Sequence, residues 1–235
     1  YNISGVAPGN YSIKANKTWF IDNTSTVLIT AGTYPQNNFT LQPSCPGPGE
    51  TKITGCDNYV VAGANYVLCN DLGPFEQSCL GIFGSFGSVT TLDCRGHWIK
   101  GTSAPDTQFG IRLGNYVNVK NCNIDNYECG IGFIPGSYSN VSGNNITNSR
   151  LGIYMQSSST NNTIVGNRII NSSQTGILMI VDTVTNTLVS GNEICNSTSL
   201  DISCVVAQTG AVDNTCNPAK VTAACGPVGC SSSCP

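Results

Sequence analysis

The chain has 235 residues, of which 10% are charged, and a formal net charge of −3; ordinary soluble domains carry about a quarter charged residues. With no basic stripe to meet phosphates, nucleic acid is excluded as a partner, and no apolar run approaches the roughly 20 residues that a membrane-spanning helix needs. The length suits one sizeable core, and so few charges leave the surface to neutral polar side chains or to something attached to them.

The chain begins at Tyr1 with neither an initiator Met nor a signal peptide, which reads as a mature, processed form. Residues 1–26 are expected to form an N-terminal arm or cap. Val27 to Tyr34 then reads as a strand ending in a glycine turn, and Leu80-Gly81-Ile82-Phe83 and Leu92 to Gly101 as further strands. From there the chain repeats itself. Ile124 with Asn126, Ile146 with Asn148, Ile169 with Asn171 and Ile194 with Asn196 are one pair recurring at spacings of 22, 23 and 25 residues. A Gly-Ile step recurs beside it, at Gly110-Ile111, Gly130-Ile131, Gly152-Ile153 and Gly176-Ile177, and Gly81-Ile82 looks like an earlier copy. A repeat of this period cannot bury its apolar face alone, so its copies must stack. The apolar runs are short and β-branched, separated by Asn, Ser, Gly and Thr, which gives strands and turns and not the spacings of helical or leucine-rich repeats.

Asparagines fall at two fixed coil positions, Asn126, Asn148, Asn171 and Asn196 at one, Asn144, Asn167 and Asn192 at the other. Asn accepts left-handed backbone and bonds its own turn, so aligned asparagines suit tight corners and can bond from coil to coil. The expected fold is all-β: a right-handed, single-stranded parallel β-helix over residues 27–206, of roughly eight coils and roughly 40 Å. Residues 207–235 are expected to form a Cys-rich C-terminal cap or docking tail.

Leu92 to Gly101, with the repeats Asn118 to Asn126, Asn140 to Asn148 and Asn162 to Asn171, resembles the right-handed parallel β-helices of the pectin-lyase-like superfamily, and most of all the NosD-type repeats of carbohydrate-binding and sugar-hydrolase modules. The resemblance covers about three quarters of the chain and implies the fold; the matching residues are those that build the coil, so it says little of activity.

Ten Asn-x-Ser/Thr sequons, at Asn2, Asn10, Asn16, Asn23, Asn38, Asn140, Asn145, Asn161, Asn171 and Asn196, point to a chain clothed in N-glycans. Thirteen cysteines (Cys45, Cys56, Cys69, Cys79, Cys94, Cys122, Cys129, Cys195, Cys204, Cys216, Cys225, Cys230 and Cys234) point with them to an oxidising, extracellular setting and structural disulfides. The number is odd, so one thiol is free or bonded to another chain. The tail has no neighbouring His and no Cys-x2-Cys pair, which speaks against zinc.

Chemistry is harder to find. Sugar hydrolysis needs paired carboxylates, and β-helix lyases use clustered Asp with calcium and an Arg or Lys base. The acids available are Asp93, Asp125, Glu128, Asp182, Glu193 and Asp201, with Arg95, Lys100, Arg112, Arg150 and Arg168 as cations. Aligned coils scatter the acids, the Asp-Asp and Gly-His-Gly signatures of polygalacturonase-like helices are absent, and His97 is the lone histidine. No cofactor or metal is called for. The expectation is therefore a structural, glycosylated extracellular protein that self-assembles end to end into a filament, sheath or surface layer. The alternative is a secreted carbohydrate-active β-helix, a lyase, hydrolase or glycan binder, with Asp93, Asp125 and Glu128 as candidate acids and Tyr116, Tyr138 or Tyr154 stacking on sugar rings of an extracellular polysaccharide.

Overall fold

The computed structural model describes residues 6–15, 20–21, 23–31, 42–102, 108–210 and 212–234. The chain divides into two compact units, residues 1–49 and 50–235. In the first, Gly9–Ala15 pairs antiparallel with Asn23–Ile29. Val27 thus sits in a hairpin strand, and the parallel coils begin at Glu50–Ile53. Antiparallel pairing is the readier outcome there, because it asks for no crossover connection.

The second unit is a parallel β-solenoid of about seven turns. Three sheets of eight, eight and seven strands form its walls. One full turn runs from Val117–Lys120 in the first sheet through Asn123–Asp125 in the second to Cys129–Phe133 in the third, and Asn140–Ser142 starts the next. The isoleucine repeat is one continuous ladder of the second sheet: Ile99, Ile124, Ile146, Ile169 and Ile194 pair in register, and all are buried. A second ladder, Ile111, Ile131, Ile153, Ile177 and Ile202, lines the third sheet. Gly81-Ile82 departs from expectation by two residues, since Leu80 pairs with Ile111 while Ile82 pairs with Leu113.

The glycine of the Gly-Ile step exists because the two ladders interlock. A Cβ on Gly130 would stand 2.5 Å from Ile146 Cγ2, on Gly152 2.3 Å from Ile169 Cγ2, and on Gly176 2.2 Å from Ile194 Cγ2. Each isoleucine methyl occupies the space that a side chain at the glycine would need. In the last coil Asp201 takes the glycine's place, buried, with Oδ2 accepting from Asn217 N at 2.8 Å.

Corners obey the same discipline. Asn126, Asn148, Asn171 and Asn196 all have left-handed backbone, φ between 53° and 65°. Their amides bond along the outside, Asn171 Nδ2 to Asn148 Oδ1 and Asn196 Nδ2 to Asn171 Oδ1, both at 3.3 Å. Inside the corner between the first and second sheets, Asn144, Asn167, Asn192 and Asn214 form a buried ladder in which each Nδ2 donates to the next Oδ1 at 3.0 Å. Each of those oxygens also accepts the backbone N–H of the coil before, at 2.9–3.0 Å, so the ladder satisfies corner backbone that water cannot reach.

Five disulfides staple the second unit: Cys56–Cys79, Cys94–Cys122, Cys195–Cys234, Cys204–Cys225 and Cys216–Cys230. Cys45 and Cys69 are disulfide-bonded as well. The free cysteine is Cys129, 2% exposed. Of the two fates open to the odd thiol, free or bonded to another chain, the buried sulfur of Cys129 shows the free one. The last coil is covered by two short 3-10 helices, Pro218–Lys220 and Ala223–Cys225, and by Gly229–Ser232, which extends the second sheet.

Gly152→Ala is expected to lower stability by about 1–3 kcal/mol, the usual cost of overpacking a filled core. Gly55→Ala, with nothing within 4 Å of the added methyl, is the control; equal urea midpoints for the two variants would contradict the interlock. Thiol titration without reductant should find no reactive group in the native chain and one per chain after unfolding.

Candidate functional site

The three candidate carboxylates lie on different walls. Asp93 ends a strand of the first sheet, where it accepts from Arg95 N at 2.9 Å and Asn121 Nδ2 at 3.1 Å and pairs with Lys120 at 3.2 Å. Asp125 ends a strand of the second sheet and accepts from Thr147 Oγ1 at 2.7 Å and Asn148 Nδ2 at 2.8 Å. Glu128 stands at the entry to the third sheet. These candidates of the carbohydrate-active alternative stand on separate sheets, each held by its own partners. Elsewhere Glu193 pairs with Arg168 at 3.2 Å, Arg95 with Glu50 at 2.6 Å, and Lys100 lies 5.1 Å from the Trp98 ring centroid. His97 Nδ1 meets Asp71 Oδ1 at 3.2 Å, and that oxygen also takes the Trp98 N–H at 2.9 Å. Among the described residues, no three His, Cys, Asp or Glu side chains gather in a metal-ligating group, and no helix is long and apolar enough to cross a membrane.

What does converge lies on the outer face of the third sheet. A groove of about 320 Å³ is lined by Phe109, Glu128, Cys129, Arg150, Leu151, Tyr154, Gln156, Gln174, Leu178 and Ile180. Register assembles it. Cys129 pairs with Leu151 and Leu151 with Thr175, so the residues just before them, Glu128, Arg150 and Gln174, share one position in successive coils. Arg150 donates Nε to Glu128 and Nη1 to Gln174, a polar rung across three coils. Beside it, Tyr154 pairs with Gly132 on one side and Leu178 on the other and presents its ring outward, with its hydroxyl donating to Gln156 Oε1 at 3.2 Å. The ring of Phe109 lies over Gly132, where a Cβ would stand 2.5 Å from it. The groove is therefore an aromatic and aliphatic wall edged by a guanidinium, a carboxylate and two amides. A second hollow, of about 350 Å³, lies in the C-terminal cap among Pro218, Val221, Ala223, Pro227 and Val228. It offers no charged group to orient a ligand.

Burial pushes the Tyr154 hydroxyl up, with further upward pressure from Cys129, and burial likewise holds the Cys129 thiol far above its usual range. Glu128 is the lining's one carboxylate. Two-carboxylate hydrolysis has no second member among the lining residues.

Fold and groove together define a parallel β-solenoid with an outward-facing polar and aromatic cleft. The chain belongs to the right-handed β-helix family: the family model described as "Right handed beta helix region" matches residues 80–219. Among solved structures, an alginate lyase from Paenibacillus sp. str. FPU-7 is similar, with TM-score 0.51 and 17% identity over 70% of this chain and 63% of that one. At that identity the likeness shows the fold alone, and the chain spans about 63% of the lyase's length. No curated protein matches. The NosD-type resemblance has no counterpart among these findings.

Asp93 makes the pH behaviour testable. Burial by itself would raise its carboxyl, but the Arg95 N–H, the Asn121 amide and the Lys120 ammonium outweigh that and hold it below its ordinary 3.8. A depressed folded value contributes stability that is present above the unfolded value and lost as pH falls through the folded one. Native stability should therefore fall as pH drops below about 4, and Asp93→Asn should flatten that fall. An acid-unfolding slope unchanged by the substitution would show that Asp93 plays no part.

Proposed function

We propose that this chain is an extracellular, disulfide-stapled β-helix that binds polysaccharide in the groove of its third sheet without cleaving it. The observation that carries this is the Glu128–Arg150–Gln174 rung beside the outward ring of Tyr154. Planar carboxylate, guanidinium and amide groups bond pairs of sugar hydroxyls, and an aromatic face receives the apolar C–H side of a pyranose. An alginate lyase on the same fold makes alginate a natural first ligand to try. The groove's single carboxylate favours binding over two-carboxylate hydrolysis. Disulfides and sequons support an oxidising compartment and N-glycans on the surface.

Assembly end to end is not part of this proposal. The odd cysteine is buried, and Leu200–Cys204, the last strand of the third sheet, lies against the two 3-10 helices of the cap, which leaves less open edge for head-to-tail stacking.

Calorimetric titration of the intact protein with alginate and cellulose oligosaccharides tests the proposal and separates acidic from neutral ligands. Binding should saturate for one series, and Tyr154→Ala and Arg150→Ala should each weaken it tenfold or more, about 1.4 kcal/mol. No heat of binding with either series at millimolar ligand, or binding indifferent to both substitutions, contradicts it.

A further inference from the structure

At the corner between the third and first sheets, one coil position holds Val89, Tyr116, Tyr138, Asn161 and Asn186 in successive turns, as the strand register requires. The last four share left-handed backbone, with φ of 55° or 56°, so their side chains leave the corner in a common direction. Tyr116 and Tyr138 stack face to face, ring centroids 5.1 Å apart and planes 3° from parallel. Phe86 closes the Tyr116 end edge-on, with its centroid at 5.7 Å. Phe86 is 87% exposed and Tyr138 53%, so this is an aromatic column standing in solvent. On the far side of Tyr138 the column meets Asn161, whose short side chain cannot cover a ring, and Asn161-Asn162-Thr163 is a sequon.

We propose that Asn161 carries an N-linked glycan whose first sugar stacks on the open face of Tyr138 and continues the column. Rungs of a parallel sheet lie about 4.8 Å apart, close to the separation already seen between the two tyrosine rings, so a sugar rising from the next rung meets the aromatic face at contact distance. Its apolar C–H face then removes Tyr138 surface from water.

The other coil sequons are worse placed. Asn145, Asn171 and Asn196 commit Nδ2 to Asn123, Asn148 and Asn171 of the preceding rung. Asn140 has its Oδ1 sealed from solvent with no partner. Asn161 Nδ2 donates within its own turn, to Thr160 Oγ1 at 3.3 Å, and the residue is exposed. Asn10 and Asn23 lie in the hairpin of the first unit, and Asn2, Asn16 and Asn38 lie outside the described residues.

The inference rests on the glycosylated part of the proposal above and is independent of the groove. The whole chain would be secreted from a eukaryotic host that glycosylates sequons, its sites mapped by peptide mass spectrometry, and its sugar protons observed by NMR. Asn161 is expected to be occupied, with protons of its first sugar shifted upfield by the Tyr138 ring and returned to ordinary positions in Tyr138→Ala. Thr163→Ala should delete those signals while leaving any oligosaccharide binding in the groove unchanged, so that failure of one idea is not failure of the other. An unmodified Asn161 overturns the inference, whether or not other sequons are occupied. So does an occupied Asn161 whose sugar protons match those of Tyr138→Ala.

Discussion

Every turn of a parallel solenoid must bury three corners of backbone, and the buried amide ladder at one of them is what the rest of this structure depends on. Asn167 makes the point. Its Oδ1 accepts from both the backbone N–H and the Nδ2 of Asn144, and its own Nδ2 donates to Val141 O at 2.8 Å and to Asn192 Oδ1 at 3.0 Å. No other side chain of that length both donates and accepts in a line along the coil axis. The ladder fixes which residue of one coil lies over which residue of the next. With that fixed, Ile169 Cγ2 is delivered to the hollow over Gly152.

The same register builds the outer surface. A coil position that faces solvent repeats down the wall just as an inner one does, so residues some 22 to 24 apart in sequence become neighbours: Glu128, Arg150 and Gln174 on one wall, Tyr116, Tyr138 and Asn161 at one corner. The groove and the aromatic column are therefore consequences of coil stacking and needed no dedicated loop. The few charges of this chain mostly pair along the axis, Arg168 with Glu193 and Lys120 with Asp93 at 3.2 Å, which leaves the surface to neutral polar groups.

How legible this was in the sequence follows from the physics of each position. The isoleucine ladders and both asparagine positions announced themselves because each keeps one residue type through several successive coils. The fourth rung of the buried ladder, Asn214, escaped because Ile-x-Asn is missing after it. Gly81-Ile82 misled by two residues because Leu80 can fill an isoleucine's place on the ladder, and Val27 misled because an antiparallel hairpin strand and a solenoid strand share one alternating pattern. The groove was invisible to a search for identity: Glu128, Arg150 and Gln174 occupy one position with three chemistries, and only their matching distance from the Gly-Ile step could have grouped them. Which cysteine stays free depends on where each sulfur falls in three dimensions, which composition cannot tell.

The most direct test of this account is the thermal stability of Asn167→Leu, which keeps the volume and deletes every side-chain bond of one rung. Four buried groups each lose a hydrogen bond at once, though Asn144 Nδ2 keeps Val119 O and Asn192 Oδ1 keeps the backbone N–H of residue 167; a buried group left unsatisfied costs about 1–3 kcal/mol. With a shift of roughly 2–4 °C per kcal/mol for a chain of this size, Tm should fall by 10 °C or more, or the chain should fail to fold. A Tm within a degree or two of the parent would contradict the claim that the amide ladder holds the coils in register.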